Sequence, residues 1–222
     1  MVFTGAGVSA ESGLRTFRDS DGLWEQYHVE DVATPKAWQR DPALVLRFYD
    51  ERRAQVLAAQ PNAAHSAIAR LQERFDVQVI TQNIDDLHER AGCEQVLHLH
   101  GEIRLARSTV DPSFITSING PSLRMGDRCP LGSQLRPHIV WFGEEVPLLT
   151  DAAEMMARAD RVLVVGTSLN VYPAAGLVHY APRRATMVLV DPKPVSVSRP
   201  GLRIIQAPAS LGVPEIVKEW LS

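Results

Sequence analysis

The stretch MVFTGAGVSAESGLRTFRD, residues 1–19, joins a short apolar run to a glycine-rich turn. Gly5, Gly7 and Ala10 match the pattern Gly-x-Gly-x-x-Gly/Ala of a dinucleotide-binding turn. Glycines let the backbone approach a pyrophosphate, whose charge the N–H groups at the start of a helix then meet. Short glycine patterns also occur in ordinary turns, so the match predicts a nucleotide site only if the surrounding elements agree.

The composition indicates a globular chain with room for a main domain and a smaller one. It has 222 residues, 45% of them hydrophobic, and a formal net charge of −3. This mildly acidic balance gives no electrostatic reason to expect a nucleic acid or membrane partner. Cys93 and Cys129 are the two cysteines, which argues against a disulfide framework and favours the reducing cytoplasm. Neither a secretory signal nor a membrane-spanning run is visible.

Hydrophobic periodicity predicts alternating strands and helices, hence an α/β fold with a parallel sheet. The predicted strands are 2–4, 75–83, 94–101, 137–143, 161–169 and 185–192, and the predicted helices are 42–59, 63–74 and 151–158. Residues 104–136 are rich in Ser, Pro, Gly and Arg and show little periodicity. We expect that segment to form an inserted loop or small module outside the main core.

An ordinary dehydrogenase unit does not fit the residues after the turn. It requires a second strand about 20 residues past the glycines, ending in an acidic residue that binds the ribose. Residues 21–38, DGLWEQYHVEDVATPKAW, contain Pro35 and no β-branched run. Glu30 and Asp31 are therefore not carried by a strand. Gly13 also disfavours the continuing helix, by about 1 kcal/mol relative to Ala.

Polar side chains follow four of the predicted strands instead. They are Ser9, Gln82, Asn83, Asp85, Thr167, Ser168 and Asp191. In an open parallel sheet, ligands bind beyond the carboxyl ends of the strands. Any one of these residues could simply cap the next helix. Together they predict a binding site at this edge.

Five segments, in order along nearly the whole chain, resemble the signature motifs of the sirtuin family of NAD-dependent protein lysine deacylases. They are GAGVSAESGLRTFRD, TQNIDDLHERAG, LHLHGE, LRPHIVWFGE and VVGTSLNVYPAAGL. The resemblance implies a Rossmann-like parallel sheet with helices on both faces, formed by residues 1–18, 75–103 and 137–222. It also implies a small domain made of a helical insertion, 19–74, and a degenerate zinc-module insertion, 104–136. NAD is then a consumed co-substrate that meets acyl-lysine protein substrates between the domains, without hydride transfer.

The resemblance assigns catalysis to His100, Asn83 and Asp85. Cleavage of the nicotinamide–ribose bond is followed by attack of a ribose hydroxyl, which requires a base. A neutral imidazole suits that task near neutral pH. His98 lies two residues earlier on the same strand face, so spacing alone does not choose between the histidines. The family's His-Gly step favours His100, while Asn83 and Asp85 correspond to positions around the nicotinamide amide.

The resemblance also assigns binding residues. Those for NAD are Gly5, Ala6, Gly7, Ser9, Ala10, Thr16, Phe17, Arg18, Gln82, Gly166, Thr167, Ser168 and Asp191. Asp191 stands where the family commonly has Asn, and its carboxylate can still accept from ribose hydroxyls. The segment that pairs with the substrate backbone is Val140, Trp141, Phe142, Gly143 and Glu144; as an alternative, these residues form a plain core strand.

Acyl choice is predicted from three residues. Tyr49 and Arg52 are three apart, hence on one helix face, and a phenol beside a guanidinium can bind a carboxylate. They resemble the Tyr-x-x-Arg of sirtuins that prefer succinyl- and malonyl-lysine, and Ala33 matches their small pocket residue. The alternative is a solvated helix on which Arg47, Arg52 and Arg53 are ordinary surface charges.

The zinc motif of the family is incomplete here. Most sirtuins bind a structural zinc through two Cys-x-x-Cys pairs. Ser108 and Asp111 stand at the first pair, and Cys129 lacks a partner thiol at the second. We therefore expect no zinc. The segment would then pack through apolar residues, Phe114, Ile115, Ile118 and Leu123, or be partly mobile.

Two other functions remain open at this point. One is an NAD glycohydrolase or ADP-ribosyltransferase that uses the same bond cleavage, and the other is a non-catalytic module that binds NAD or ADP-ribose. The substrate segment argues against the first and the retained His100 against the second. We expect a monomer.

Overall fold

The computed structural model describes residues 1–14, 23–24, 27–193, 197 and 199–222. The strands are β1 (Val2–Thr4), β2 (Leu23–Trp24), β3 (Tyr27–His28), β4 (Val79–Thr81), β5 (Val96–His98), β6 (Gly101–Ser108), β7 (Ile115–Ser117), β8 (Leu135–Ile139), β9 (Arg161–Val165), β10 (Thr186–Val190) and β11 (Arg203–Ile205). The α-helices are α1 (Val29–Val32), α2 (Pro35–Arg40), α3 (Pro42–Ala58), α4 (Ala63–Arg70), α5 (Leu87–Arg90), α6 (Leu149–Ala157) and α7 (Ala209–Leu221).

The main sheet has the strand order β11-β10-β9-β1-β4-β5 among the described residues, and all its pairings are parallel. From β1 the chain proceeds to β4 on one side and returns to β9 on the other. The crevice between β1 and β9 is therefore the topological switch point, where doubly wound sheets bind ligands.

Helices cover both faces of this sheet, as the apolar strands require. Leu163 and Val165 pack with α4 and α7 on one face. Val162 and Val164 pack with α6 and the 3-10 helix Ala174–Tyr180 on the other. The predicted Rossmann-like fold class is confirmed.

The helical insertion begins its long helix with a defined cap. Asp41 accepts a hydrogen bond from the backbone N–H of Leu44 at 2.9 Å, and Pro42 occupies the first turn of α3. Both are typical helix-start signals. The buried face of α3, which includes Phe48 and Tyr49, packs against Trp141.

A second, antiparallel sheet of order β7-β6-β8 corrects two predicted strands. The strand expected at 94–101 ends at His98, and a new strand begins at Gly101 with φ +83°. The strand expected at 137–143 runs Leu135–Ile139 and pairs with β6 rather than with the main sheet. Because β6 and β8 cross the predicted domain boundaries at 103/104 and 136/137, the division into domains stays a prediction.

The segment 104–136 has its own small core. Ile118, Leu123 and Cys129 are buried there, and Phe114 packs against them. Ile115 is 44% exposed, so its predicted role in this core is wrong. It lies on the short strand β7, where successive side chains alternate between the two faces. Within the described part of the chain, no helix is long and apolar enough to span a bilayer.

Candidate functional site

The turns after β1 and β9 pack directly against each other at the switch point. The N–H of Gly7 donates to the Gly166 carbonyl at 2.9 Å, and Gly166 has φ +62°. A Cβ on Gly166 would lie 2.3 Å from the backbone N of Val8. The glycines therefore permit contact between the two turns. Behind them lie the short 3-10 helices Ala6–Val8 and Ala10–Ser12 rather than the α-helix of a dehydrogenase turn.

Ser9 is the centre of a buried polar network. Its hydroxyl donates to Asp85 Oδ2 at 3.1 Å and accepts from Asn83 Nδ2 at 3.1 Å. His65 Nε2 lies 3.4 Å from the same oxygen. The backbone N–H of Asn62 donates to His65 Nδ1, so the ring proton is on Nε2 and points at Ser9. One donor and two acceptor positions of the hydroxyl are thus used, which fixes the orientation of Asn83 and Asp85.

The network contains a buried carboxyl group, that of Asp85, in the loop after β4. Burial raises the pKa of Asp85, and hydrogen bonds from the Leu87 N–H and the Ser9 hydroxyl oppose that rise. Burial also lowers the pKa of His65 to about 4, so this ring is neutral at pH 7. Asp85 and Asn83 therefore offer an acceptor and an amide beside the switch point, as recognition of a carboxamide requires.

The backbone carbonyls of three successive residues in the loop 82–85 each accept a hydrogen bond. His100 Nδ1 lies 2.9 Å from the Gln82 oxygen, and His98 Nδ1 lies 2.9 Å from the Asn83 oxygen. The backbone N–H of Ile103 donates to the Ile84 oxygen at 2.8 Å. The loop that carries Asn83 and Asp85 is therefore positioned by the last residue of β5 and by the residues that follow it.

His98 and His100 differ in whether a ring nitrogen keeps a lone pair that could accept a proton. A carbonyl oxygen only accepts, so His100 Nδ1 carries the proton and Nε2 keeps its lone pair. Burial lowers the pKa of His100, which keeps it neutral near pH 7. His98 uses both nitrogens, because its Nε2 lies 2.6 Å from Glu89 Oε1. Of the two rings, His100 has the free acceptor of a general base.

The remaining predicted NAD residues lie at neighbouring strand ends. Thr167 is buried after β9, and its hydroxyl accepts from Gln82 Nε2 at 3.1 Å. Ser168 follows it and is half-buried. Asp191 is buried after β10 and accepts from the backbone N–H of Lys193. Thr16, Phe17 and Arg18, also predicted to bind NAD, lie outside the described residues.

The segment 140–144 contacts both the residues that follow β5 and the helical insertion. Val140 N–H donates to the His100 carbonyl at 2.9 Å, and Phe142 N–H donates to the Ala33 carbonyl at 3.0 Å. Phe142 is 47% exposed, while the Trp141 side chain is buried. Phe142 and Gly143 are thus on the accessible side of the segment, and Trp141 anchors it.

The Glu144 carboxylate stabilises the segment 140–144 through hydrogen bonds and ion pairs. Its carboxylate accepts two hydrogen bonds from Arg136, at 2.7 and 3.0 Å, and one from the Trp141 N–H at 2.8 Å. Arg107 adds a longer ion pair at 3.3 Å. The Glu144 carboxylate therefore contacts groups within the protein, and the pairing of residues 140–144 with the substrate backbone stays a prediction.

The face of α3 with Tyr49 and Arg52 is buried, so the alternative of a solvated helix is wrong for it. The Tyr49 hydroxyl forms no hydrogen bond of good geometry with a described residue. Burial raises its pKa, and the nearby Trp141 indole N–H opposes that rise. Arg52 donates to Gln55 Oε1 at 3.3 Å. Arg53, which that alternative also placed at the surface, is fully buried and donates to the Ile103 carbonyl. Arg47 is exposed, as that alternative expected.

The residues at the zinc-module position do not fit a tetrahedral zinc site. Cys129 Sγ lies 3.3 Å from Ser108 Oγ and 3.4 Å from Ser133 Oγ, and the two hydroxyls are 3.1 Å apart. Asp111 Oδ1 accepts from the Ser113 N–H at 3.1 Å and from the Ser113 hydroxyl at 2.6 Å. Within the described ranges, no three His, Cys, Asp or Glu side chains are grouped as metal ligands. The Cys129 thiol is instead surrounded by the hydroxyls of Ser108 and Ser133.

Three residues of the site were not predicted from the sequence. His65 could have been found, because Asn62 and a partner three residues later form a capping box at the start of α4. His88, whose Nε2 lies 3.0 Å from Thr4 Oγ1, and Arg136 carry no such local signal. His88 contacts a strand 84 residues earlier, and Arg136 contacts Glu144, which lies eight residues further along the chain.

Comparisons with known proteins agree on one family. The family model described as Sir2 family matches residues 5–173. A relative from Bacteroides thetaiotaomicron named NAD-dependent protein deacylase is 50% identical over 222 residues, covering 97% of this chain and 95% of the relative.

Solved structures of the same family superpose closely. A Sir2 homologue mutant in complex with ADP-ribose has a TM-score of 0.90 at 40% identity, covering 98% of this chain and 90% of that chain. A Sir2 homologue–NAD complex has a TM-score of 0.87 at 39% identity, covering 99% of this chain and 88% of that chain. The resemblance of the five sequence segments to sirtuins is thereby confirmed: the chain belongs to the Sir2 family.

Proposed function

We propose that this chain removes acyl groups from protein lysine side chains with NAD as co-substrate, releasing nicotinamide and O-acyl-ADP-ribose. The observation that carries the proposal is the state of His100: Nδ1 is held by the Gln82 carbonyl, and Nε2 keeps a free lone pair beside the loop of Asn83 and Asp85. The relative named NAD-dependent protein deacylase supports the same activity.

The residues of the switch point have distinct roles in this proposal. NAD supplies the ribose that accepts the acyl group and the nicotinamide that leaves. Asn83 and Asp85 bind the carboxamide, in the orientation that Ser9 imposes on them. The NAD ribose and phosphates are bound by the remaining predicted set, Gly5, Ala6, Gly7, Ala10, Thr16, Phe17, Arg18, Gln82, Gly166, Thr167, Ser168 and Asp191. His100 Nε2 takes the proton of the attacking ribose hydroxyl.

The protein substrate binds along the segment 140–144. Its peptide backbone adds a strand beside Phe142 and Gly143, the accessible part of the segment. The hydrogen bond from the Phe142 N–H to the Ala33 carbonyl joins the segment 140–144 to the helical insertion. An acyl-lysine side chain that enters there is directed between Ala33 and the buried face of α3.

Acidic acyl groups are the preferred substrates in this proposal. The Tyr49 hydroxyl is buried and forms no hydrogen bond of good geometry among the described residues, a costly state that an incoming acceptor relieves. The guanidinium of Arg52, on the same face, adds a positive charge. A succinyl or malonyl carboxylate satisfies both through charge-assisted hydrogen bonds.

We also propose how the protein folds without zinc, how it divides into domains and where it acts. The segment 104–136 folds without zinc, because Ser108, Cys129 and Ser133 form their own contacts and a small apolar core surrounds them. The large domain comprises 1–18, 75–103 and 137–222, and the two insertions form the small domain. The enzyme is a cytoplasmic monomer that has no nucleic acid or membrane partner.

A mass-spectrometric assay tests the activity. Matched acetyl- and succinyl-lysine peptides are incubated with NAD, and nicotinamide and acyl-ADP-ribose are followed. We expect turnover by the wild type and by His179→Ala, an exposed control histidine, and none by His100→Ala. Nicotinamide release without peptide would favour the NAD glycohydrolase. NAD binding without any turnover would favour the binding module.

A further inference from the structure

His98 lies between two hydrogen-bond acceptors. Its Nδ1 is 2.9 Å from the Asn83 carbonyl oxygen, and its Nε2 is 2.6 Å from Glu89 Oε1. A carbonyl oxygen has no proton to donate, and neither has an ionised carboxylate. The Glu89 side chain is 39% exposed, so water also contacts its carboxylate. Both ring nitrogens must therefore carry protons, which makes His98 an imidazolium.

The surroundings of His98 favour this charge despite its burial. Burial by itself lowers the pKa of the ring, but the hydrogen bond and charge of Glu89 and the Asn83 carbonyl leave it raised above its usual value. Glu102, on β6, acts in the same direction. The other titratable groups near the ring are Asp85, whose charged form it favours, and the buried His88.

We infer that His98, charged by its contact with Glu89, is a positioning residue that fixes the loop 82–85 for catalysis. The inference rests on the proposed function, in which Asn83 and Asp85 bind the nicotinamide amide. The Asn83 carbonyl is held by His98, and the Asn83 side chain donates to Ser9, which in turn donates to Asp85. A shift of the Asn83 backbone therefore disturbs both proposed amide-binding groups at once.

Loss of one proton from His98 releases the loop. The proton that remains stays on Nε2, because a carboxylate is the stronger acceptor. The Nδ1 lone pair then faces the Asn83 oxygen, and the two repel each other. Catalysis consequently depends on two histidines in opposite states, a neutral His100 and a charged His98.

Glu89→Gln separates the charge of His98 from its hydrogen bonds. The amide of a glutamine can donate to Nε2, so a neutral ring keeps its proton on Nδ1 and still donates to Asn83. Glu102→Gln is the matched control, since it removes a neighbouring charge that forms no hydrogen bond with the ring. Nitrogen-15 NMR of the ring near neutral pH should show two N–H groups in the wild type and in Glu102→Gln, and one in Glu89→Gln. A singly protonated ring in the wild type would overturn the inference.

The pH dependence of nicotinamide release tests the positioning role. We expect kcat of the wild type to fall as pH rises through the raised pKa of His98, and that alkaline fall to be absent in Glu89→Gln. His98→Ala should lose about tenfold in kcat, the effect of one hydrogen bond, with KM for the peptide unchanged. His98→Gln, which keeps a donor for Asn83, should recover most of the loss. An unchanged alkaline fall in Glu89→Gln would contradict the positioning role.

A measurement that needs no turnover distinguishes a failure of this inference from a failure of the proposed function. In the wild type, the NMR signals of the Asn83 side-chain amide should follow the titration of His98, and in Glu89→Gln they should not. If the wild type has no deacylase activity, the proposed function fails while this titration still decides the positioning role. Asn83 signals that ignore the charge of His98 overturn the inference.

Discussion

The guanidinium of Arg136 lies over the ring of Trp141, with its central carbon 3.2 Å from the ring centroid. The same guanidinium binds Glu144, the residue three positions beyond Trp141. Arg136 belongs to β8, so it links the small antiparallel sheet to the segment 140–144. A cation over an indole face, with its N–H groups on a carboxylate, fixes both ends of a short turn.

Substitution of Arg136 should weaken peptide binding more than NAD binding. Arg136→Met leaves the largely buried Glu144 carboxylate without its main partner, which we expect to lower the free energy of unfolding by about 3 kcal/mol. KM for the acyl-peptide should rise, because Trp141 and Phe142 lose their anchor, whereas KM for NAD should change little. Denaturant unfolding and steady-state kinetics measure the two effects. Arg124→Met, at an exposed arginine, is the control, and equal changes in both KM values would argue against the link.

Tyr49→Phe should reduce succinyl turnover without destabilising the protein. The hydroxyl forms no hydrogen bond of good geometry among the described residues, and the nearby Trp141 N–H already lacks one, so removal of the hydroxyl should cost little stability. We expect kcat/KM for a succinyl peptide to fall about tenfold or more, the worth of a hydrogen bond to a charged group. Acetyl turnover and the melting temperature serve as internal controls. A parallel loss with both peptides would remove the phenol from acyl selection.

Arg52→Met tests whether the positive charge of Arg52 contributes to binding of the acyl carboxylate. Loss of the guanidinium should raise KM for succinyl peptide and make that KM insensitive to salt, whereas the wild-type value should rise with ionic strength. Kinetics over a salt series with acetyl and succinyl peptides give the comparison. Unaltered succinyl kinetics would mean that the carboxylate binds elsewhere.

Chelators should leave the melting temperature unchanged, because the donor set of the module does not fit zinc. Ser108→Ala should destabilise the protein by about 1–3 kcal/mol, because the Ser108 hydroxyl accepts from the Val110 and Asp111 N–H groups and contacts Cys129. Calorimetry of both proteins, with metal analysis of the wild type, decides the point. Ser122→Ala, at an exposed serine, should be neutral. Stoichiometric zinc, or a melting temperature lowered by chelation, would refute the proposal.

Acid should destabilise the protein through its buried neutral histidines. The pKa of His65 is about 4 in the folded protein and close to 6.5 in the unfolded chain, so the unfolded state binds the proton first as pH falls. Its contribution is fully present above pH 6.5 and is lost on the way down to about pH 4, amounting to about 3 kcal/mol. Unfolding free energies across that range measure it. His65→Gln, which can accept from Asn62 and donate to Ser9, should flatten the acid slope; a slope equal to that of the wild type would assign the effect to other groups.

The strand ends show how far a single sequence could lead. Apolar runs before Gly5, Asn83, Gly166 and Asp191 predicted parallel strands with polar side chains beyond them, and the sheet places them at one edge. Register and exact length were not predictable, since Gly101 starts a new strand where the apolar pattern continues. The expectation that residues 137–143 form a strand was right for part of its length but wrong about the sheet it joins.

The sequence by itself determined the α/β class, the family and the set of candidate site residues, because strand periodicity and glycine turns are local properties of the chain. Spacing did not separate His98 from His100, and the resemblance favoured His100 by its His-Gly step; only the tertiary structure shows that the two rings have different hydrogen-bond partners. The difference between them comes from Glu89 and from the carbonyls of the loop 82–85, which meet the two rings only after the chain has folded. Proton location depends on such partners in space, and no local pattern records them.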